Sequence, residues 1–390
     1  LWGRLFPEWG AVRDLPPRDR AHVWTVDRHL VEACAQAARL TTRVARPDLL
    51  LVGTLLHDIG KGRGGDHSVV GESLAVQVGR RLGFAEPDVE LLGAVVRHHL
   101  LLPHTATRRD LDDAATVHRV VDTVEGAAPG NGAQLLDLLA ALAEADALAT
   151  GPGVWSPWKR ALIGDLVVRC RATLAGEALP VPVSPSVEER AMVAEVGEDG
   201  RPRVHLDGRT DPPTVVVAIP DRPGSLSAAT GVLALHSLEV HAAELRAVHG
   251  TAILTFTVSP RFGGMPDPAL LRSELVRVLD GSLALEEALA RKERDYAPMT
   301  PSGEASAPPR VLWFDDEATG AVIMELRGTD RIGLLHRVVA ALEGCGVGLR
   351  WARVATLGAS VVDSFCLDCP TDLAKRERAR IAEAVLGAAG

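Results

Sequence analysis

The sequence predicts a multidomain chain: an all-α domain rich in metal-ligand side chains, then two small α+β units of ferredoxin-like type. Three observations carry this. Apolar residues recur at helical spacing from residue 22 to about 175, with Gly and Pro between the runs. Within that stretch His29, His57-Asp58, His67, His98-His99 and Asp146 form an ordered ladder of imidazoles and carboxylates. Such groups suit divalent ions that activate water. Beyond residue 213 the chain repeats itself at an offset of 109, so that Asp221 answers to Asp330 and Phe256 to Phe365. The expected divisions are 1–178 for the helical domain, 179–212 for a connection holding a short helix and strand, 213–295 for the first small unit, 296–310 for a linker and 311–390 for the second small unit.

The bulk numbers are compatible with packed cores and exclude several classes. Hydrophobic residues make up 47% of the 390 and charged residues 24%, an ordinary globular balance. A net charge of −9 argues against a nucleic-acid binder, which shows a basic face. The sequence shows neither a long apolar run of membrane-spanning length nor a secretory leader, so no membrane partner is expected and the cytoplasm is the expected compartment. The chain opens Leu1-Trp2-Gly3-Arg4 without a methionine, which suggests a fragment whose upstream region is missing. Five cysteines at irregular spacing do not make a disulfide framework.

In chain order, helices are expected over 22–40, 48–57, 68–83, 87–100, 114–125, 134–149 and 157–175. His29 lies on the first, seven residues after His22. His57-Asp58 follows an apolar run and falls near a helix end, where both can ligate one ion or bridge two. Next comes Gly60-Lys61-Gly62-Arg63-Gly64-Gly65, a loop able to bring Lys61 and Arg63 to a phosphoryl group. It lacks the pattern of a Walker A loop. His98-His99 closes a helix on which two neighbouring side chains cannot both face water. Asp146 is the most telling rung. Asp137 and Glu144 share the polar face of its helix, whereas Asp146 follows Leu139 and Leu142 on the apolar face. A carboxylate aimed at a core needs a partner, and the histidines point to a metal ion. One imidazole alone is more often structural than ligating; the ordered set is what raises the reading. His22, His104 and His118 are expected on helix surfaces or supporting the ligands. His67, His98 and His99 can ligate, support a ligand or bind phosphate.

Residues 179–185, rich in proline, read as an extended linker, and 187–210 as a helix and a strand. Each repeat copy then reads β-α-β-β-α-β. Asp221-Arg222-Pro223-Gly224-Ser225-Leu226 and Asp330-Arg331-Ile332-Gly333-Leu334-Leu335 join the first strand of each copy to its helix. Glycine lets the backbone approach a ligand, the helix N-terminus can receive a carboxylate and Asp can receive an ammonium, so either loop suits an amino acid. The bland alternative is a plain β-to-α turn. Cys366-Leu367-Asp368-Cys369 has no second pair to make a zinc site and reads as packing.

The order His, His-Asp, distal Asp resembles the HD-domain metal phosphohydrolases, with His67 and His98-His99 similar to their two-metal variant. A closer resemblance rests on Trp24-Thr25-Val26-Asp27-Arg28-His29, on Leu56-His57-Asp58-Ile59-Gly60-Lys61-Gly62-Arg63-Gly64-Gly65-Asp66-His67-Ser68, on Val96-Arg97-His98-His99-Leu100 and on Phe6-Pro7-Glu8-Trp9. These resemble the bifunctional uridylyltransferase/uridylyl-removing enzyme family, and the two repeat loops resemble the ACT-domain motif found there. The resemblance covers nearly the whole chain. It implies metal-dependent removal of UMP or AMP from a tyrosine of the nitrogen-signalling protein PII. It further implies Mg2+ or Mn2+, one ion or two, held by His29, His57, Asp58, His67, His98, His99 and Asp146. Asp58, Lys61 and Arg63 would serve the chemistry. Glutamine would be the effector of the ACT loops, and a dimer through the ACT domains is one arrangement they permit. The family's Gly-Ser stretch and Asp-x-Asp site of nucleotide transfer are missing, so transfer activity is not expected.

Other readings compete. A (p)ppGpp hydrolase also joins HD and ACT domains, but Ile59-Gly60-Lys61 stands here where an acidic pair is expected. A cyclic-dinucleotide phosphodiesterase of the two-metal type lacks its Gly-Tyr-Pro signature here. A non-catalytic amino-acid sensor, with the helical domain as scaffold, belongs to another class; metal content and turnover separate it from the enzymes.

Overall fold

The computed structural model describes residues 2–17, 22–109, 111, 113–177, 186–295, 308–315, 321–357, 360–370 and 373–390. They divide into two compact units, Leu1–Pro182 and Val183–Gly390. Stretch 179–185 and most of 296–309, both expected as linkers, lie outside the described residues.

The first unit is helical: α1 (Trp2–Leu5), a 3-10 turn Pro7–Ala11, α2 (Val26–Ala37), α3 (Pro47–Leu56), α4 (His67–Leu82), α5 (Glu86–Arg97), α6 (Leu101–Arg108), α7 (Ala114–Ala127), α8 (Gly132–Thr150) and α9 (Pro157–Leu174). All seven expected helices form. Two more form: α1, a single turn, and α6, whose pattern Pro103 interrupts. Proline is tolerated in a first turn, and Leu102 and Ala106, four apart, are both fully buried. Helix α8 is the core's axis: Leu135, Leu136, Leu138, Leu139 and Leu142 are at most 1% exposed, so it is apolar nearly all round. Its polar edge is held by ion pairs, Asp137 to Arg171 and Glu144 to Arg43.

The second unit runs α10 (Val187–Asp199), β1 (Arg203–Asp207), β2 (Thr214–Pro220), α11 (Ser225–Leu235), β3 (Leu238–Val248), β4 (Thr251–Pro260), α12 (Pro268–Leu279), α13 (Leu285–Asp295), β5 (Arg310–Asp315), β6 (Val322–Thr329), α14 (Leu334–Gly344), β7 (Gly348–Leu357), β8 (Ser360–Asp368) and α15 (Lys375–Ala389). Its strands form one eight-stranded antiparallel sheet in the order β1-β2-β4-β3-β7-β8-β6-β5. Each half has the ferredoxin-like arrangement of two ACT domains, but the path differs from the expected β-α-β-β-α-β. The edge strand comes first: β1 pairs with β2, and β5 with β6. An antiparallel edge slot can be filled by a strand entering from before the unit through a short connection. Segment 203–207, assigned to the connection, is therefore part of the sheet.

The halves join where β3 meets β7, and the repeat offset shows how. Ala243 pairs with Ala352, 109 positions on. The His336 ring donates to the Ser227 carbonyl at 2.7 Å, again 109 apart. Arg353 reaches Glu244 at 3.4 Å, also 109 apart. Equivalent residues can touch each other only at a two-fold axis, so the two copies are related by a pseudo-two-fold through this seam. Gly231 on α11 sits beside it: a Cβ there would lie 2.5 Å from Leu285 and 2.9 Å from His336. Among the described residues no helix is long and apolar enough to cross a membrane, and all five cysteines are free.

Gly231→Ala is expected to lower the stability of the sheet unit by about 1–3 kcal/mol through overpacking, seen as a lower urea midpoint. An unchanged midpoint would mean that α11 and the His336 ring part without cost.

Candidate metal centre

Three local devices place the ladder. On α2, Val26, His29, Leu30, Ala33 and Ala37 share the buried face. At the end of α3 the chain turns directly into His57 and Asp58, both at most 3% exposed. Asp66 then caps α4, accepting from the Ser68 N–H at 2.8 Å, and fixes His67 as the first residue of that helix. The turn between them is held very tightly. A Cβ on Gly60 would lie 2.0 Å from the His67 carbonyl oxygen, so only glycine fits. From outside, the 3-10 turn buttresses the loop. Glu8 is paired by both oxygens to Arg81, at 2.6 and 2.9 Å, and Arg63 donates to the Glu8 carbonyl at 2.8 Å.

Three overlapping groups result, each with ligand atoms within 4.8 Å of one another: His29, His57 and Asp146; Asp58, His67 and His99; His22, His29 and Asp58. In the first, the Asp146 carboxylate lies 2.9 Å from His29 Nε2 and 3.6 Å from His57 Nε2. In the second, Asp58 Oδ1 lies 3.5 Å from His67 Nε2 and 3.7 Å from His99 Nε2. The other Asp58 oxygen stands 3.5 Å from His57 Nε2 and 2.5 Å from Lys61 Nζ. Asp58 thus spans the groups. The rings of His22, His29, His57, His99 and His67 follow one another edge to face, 5.1 to 5.3 Å between centres.

The tautomers follow from the backbone. His57 Nδ1 lies 2.8 Å from the Thr54 carbonyl, and His99 Nδ1 lies 2.7 Å from that of Val96. A carbonyl only accepts, so Nδ1 carries the proton in both rings. His99 Nε2 is then a bare lone pair, the arrangement second-sphere bonds give to ligating histidines, whereas the Asp58 and Asp146 carboxylates hold His57 protonated at both nitrogens against its burial. His29 cannot satisfy both its nitrogens either, because its buried Nδ1 has no partner. Burial pushes the His99 ring down to about 4, so it is neutral near pH 7. Burial opposes ionisation of Asp146, yet the His29 and His57 hydrogen bonds outweigh it and hold the acid well below its ordinary range. Asp58 is likewise lowered against its burial, by His57 and Lys61. Two ionised carboxylates set among imidazoles match the donor set of a divalent cation, which would take the place of the His57 proton. Asp146 and His67 keep 23% and 30% of their side chains open, which gives the cluster its mouth.

Two expected residues stand apart. Arg63 donates from both terminal nitrogens to carbonyls, those of Ile59 (2.6 Å) and Glu8 (2.8 Å), so it holds the loop. His98 caps the end of α5, half-buried, and joins none of the three groups; of the adjacent pair, His99 turns inward. Two other residues were not read as site members. His22 joins a group, a position that its seven-residue spacing from His29 could have signalled. Lys159, whose ammonium burial disfavours, feels the charge of Asp146 from the start of α9, and only the fold shows it.

In the sheet unit, Asp221 and Arg222 are exposed at the first loop, with Gly224 at φ +91° and Ser225 bonded to the Pro220 carbonyl. Leu226 is buried beneath them. In the second loop Asp330 and Arg331 are half-buried, Gly333 has φ +75°, Leu334 is buried and Leu335 partly so.

The HD domain family matches residues 26–151. The bifunctional uridylyltransferase/uridylyl-removing enzyme of Mycobacterium tuberculosis is 48% identical, over 96% of this chain and 47% of the relative. Those of Streptomyces coelicolor and Rhodospirillum rubrum are 43% and 31% identical, over 93% and 97% of this chain and 48% and 46% of the relatives. The chain spans about half the length of the curated relatives it matches.

Gly60→Ala is expected to displace His67 and weaken Mn2+ binding about tenfold or more, followed by electron paramagnetic resonance titration, while His98→Ala binds as the wild type does. Equal weakening by both would mean that the pair His98-His99 acts as one ligand.

Proposed function

The chain carries an HD domain and belongs with the bifunctional uridylyltransferase/uridylyl-removing enzymes, and from that premise we propose that it hydrolyses the phosphodiester joining UMP or AMP to a tyrosine of the signalling protein PII. The observation that carries the reading is the buried Asp58 carboxylate, set between two groups of imidazoles with Lys61 against it.

His29, His57 and Asp146 would hold one Mg2+ or Mn2+, and Asp58, His67 and His99 a second. Ions so held supply a water acidified toward neutrality and positive charge for the phosphoryl oxygens. Lys61 keeps 31% of its side chain open and extends the positive charge to the rim, where phosphoryl oxygens can be met. His67 stands at the same rim. The leaving phenolate of tyrosine has a pKa of about 10, so it departs with less help from a general acid than an alkoxide needs. That accords with a pocket built from cation ligands. In the sheet unit, glutamine bound at an ACT loop would set the rate, signalling nitrogen sufficiency.

Tyrosine-nucleotidylated PII incubated with the chain and Mn2+ should lose the nucleotidyl mass, faster when glutamine is present. Asp58→Ala and a chelator should each abolish the loss. Turnover that survives both would defeat the metal mechanism, and no turnover under any condition would favour a sensor without catalysis.

A further inference from the structure

Two of the three donor groups account for two ions, and His22 belongs only to the third, with His29 and Asp58. Its segment is fixed at both ends. The Val23 N–H donates to the Thr150 carbonyl at 3.0 Å, which ties the chain before α2 to the end of α8, the helix of Asp146. The Val26 N–H donates to the Leu15 carbonyl at 2.9 Å. The His22 ring then meets His29 edge to face, 5.1 Å between centres. Its Nδ1 is buried and has no hydrogen-bond partner among the described residues. A buried polar atom left unpaired costs free energy. Beside a second imidazole and a carboxylate, a cation is what satisfies such a ring.

Shared donors decide which ion His22 meets. His29 stands in the first and third groups, Asp58 in the second and third. One imidazole nitrogen serves one ion, and His29 turns its Nε2 to Asp146 at 2.9 Å and to His57 Nε2 at 3.4 Å. An ion held there is the first ion, and His22 approaches it from the remaining side. A carboxylate, unlike an imidazole nitrogen, can serve two ions. Asp58 has one oxygen 3.5 Å from His57 Nε2 and the other 3.5 and 3.7 Å from His67 and His99. The first ion is thus offered His22, His29, His57, Asp58 and Asp146, and the second only Asp58, His67 and His99.

We propose that His22 is a ligand of the first ion, which is thereby nearly closed and tightly held, while the second ion is open and exchangeable. The inference rests on the reading of this cluster as a two-ion hydrolytic centre, and adds to it a ligand and an order of affinity. An octahedral ion with five protein donors keeps one position free, and one with three keeps half of them, as a site that must admit water and substrate does. Exposure follows the same order. The side chains of His29 and His57, which serve the first ion, are 1% open, whereas that of His67, which serves the second, is 30% open.

The test is titration of the full chain with Mn2+, followed by electron paramagnetic resonance, with and without UMP. The wild type should show a tight and a weak class of site, and UMP should strengthen the weak class alone. His22→Ala should weaken the tight class about tenfold or more. The weak class, kept in the same titration, shows that the variant is folded. His22→Phe keeps a ring against His29 but has no lone pair, so it should bind as His22→Ala does. His67→Ala should weaken the weak class alone. Tight binding retained by both His22 variants, or restored by His22→Phe, makes His22 a packing residue: this inference falls and the two-ion reading stands. A third equivalent of Mn2+ that is lost with His22 also overturns it, by giving His22 an ion of its own. A wild-type chain that binds no Mn2+ overturns both.

Discussion

The helical unit is organised by the need to keep Asp58 ionised inside a protein. A carboxylate at most 3% exposed is strongly disfavoured by desolvation. Here it is held by the charges of Lys61 and His57, with the His67 and His99 rings beside its other oxygen. Much of the surrounding structure serves that placement. The Gly60 turn lets the chain double back to His67, Asp66 starts α4 at the right residue, and the Arg63 and Arg81 bonds to Glu8 clamp the loop from outside. Side chains that reach the centre from α2, α3, α4, α5 and α8 give it a rigidity that a site on one loop would lack.

The sheet unit solves a different problem. A half with four strands has an exposed inner edge, and two copies remove both edges by pairing β3 with β7. Duplication followed by divergence then leaves one half free to change. The first copy keeps Leu254 in its core, where the second has Asp363. Burial and the nearby Asp330 charge favour the protonated, neutral form of that acid, which makes its place in the core less costly.

Much of this was legible in the sequence, for reasons tied to particular residues. The helices of the first unit showed because their apolar periodicity is regular, and Asp146 stood out because its phase placed it with Leu139 and Leu142. The repeat was visible through loop glycines and aligned phenylalanines. What was hidden depends on three-dimensional neighbours. The spacing Lys61-x-Arg63 cannot reveal that Arg63 is spent on two carbonyls. Nor can the pair His98-His99 reveal which ring turns inward, since that depends on the backbone at the end of α5. The strand at 203–207 was read as part of a connection because five residues carry little pattern until β2 is there to pair with. His22 and Lys159 are brought to the centre by tertiary packing.

The central claim is that this cluster is built around cations. Anomalous diffraction from crystals soaked in Mn2+ tests it most directly. The account predicts two peaks, one within coordination distance of His29, His57 and Asp146 and the other of Asp58, His67 and His99. A peak-free cluster in a crystal that binds Mn2+ elsewhere would contradict it, and Lys61 and the histidines would then be neutralising Asp58 for structure alone.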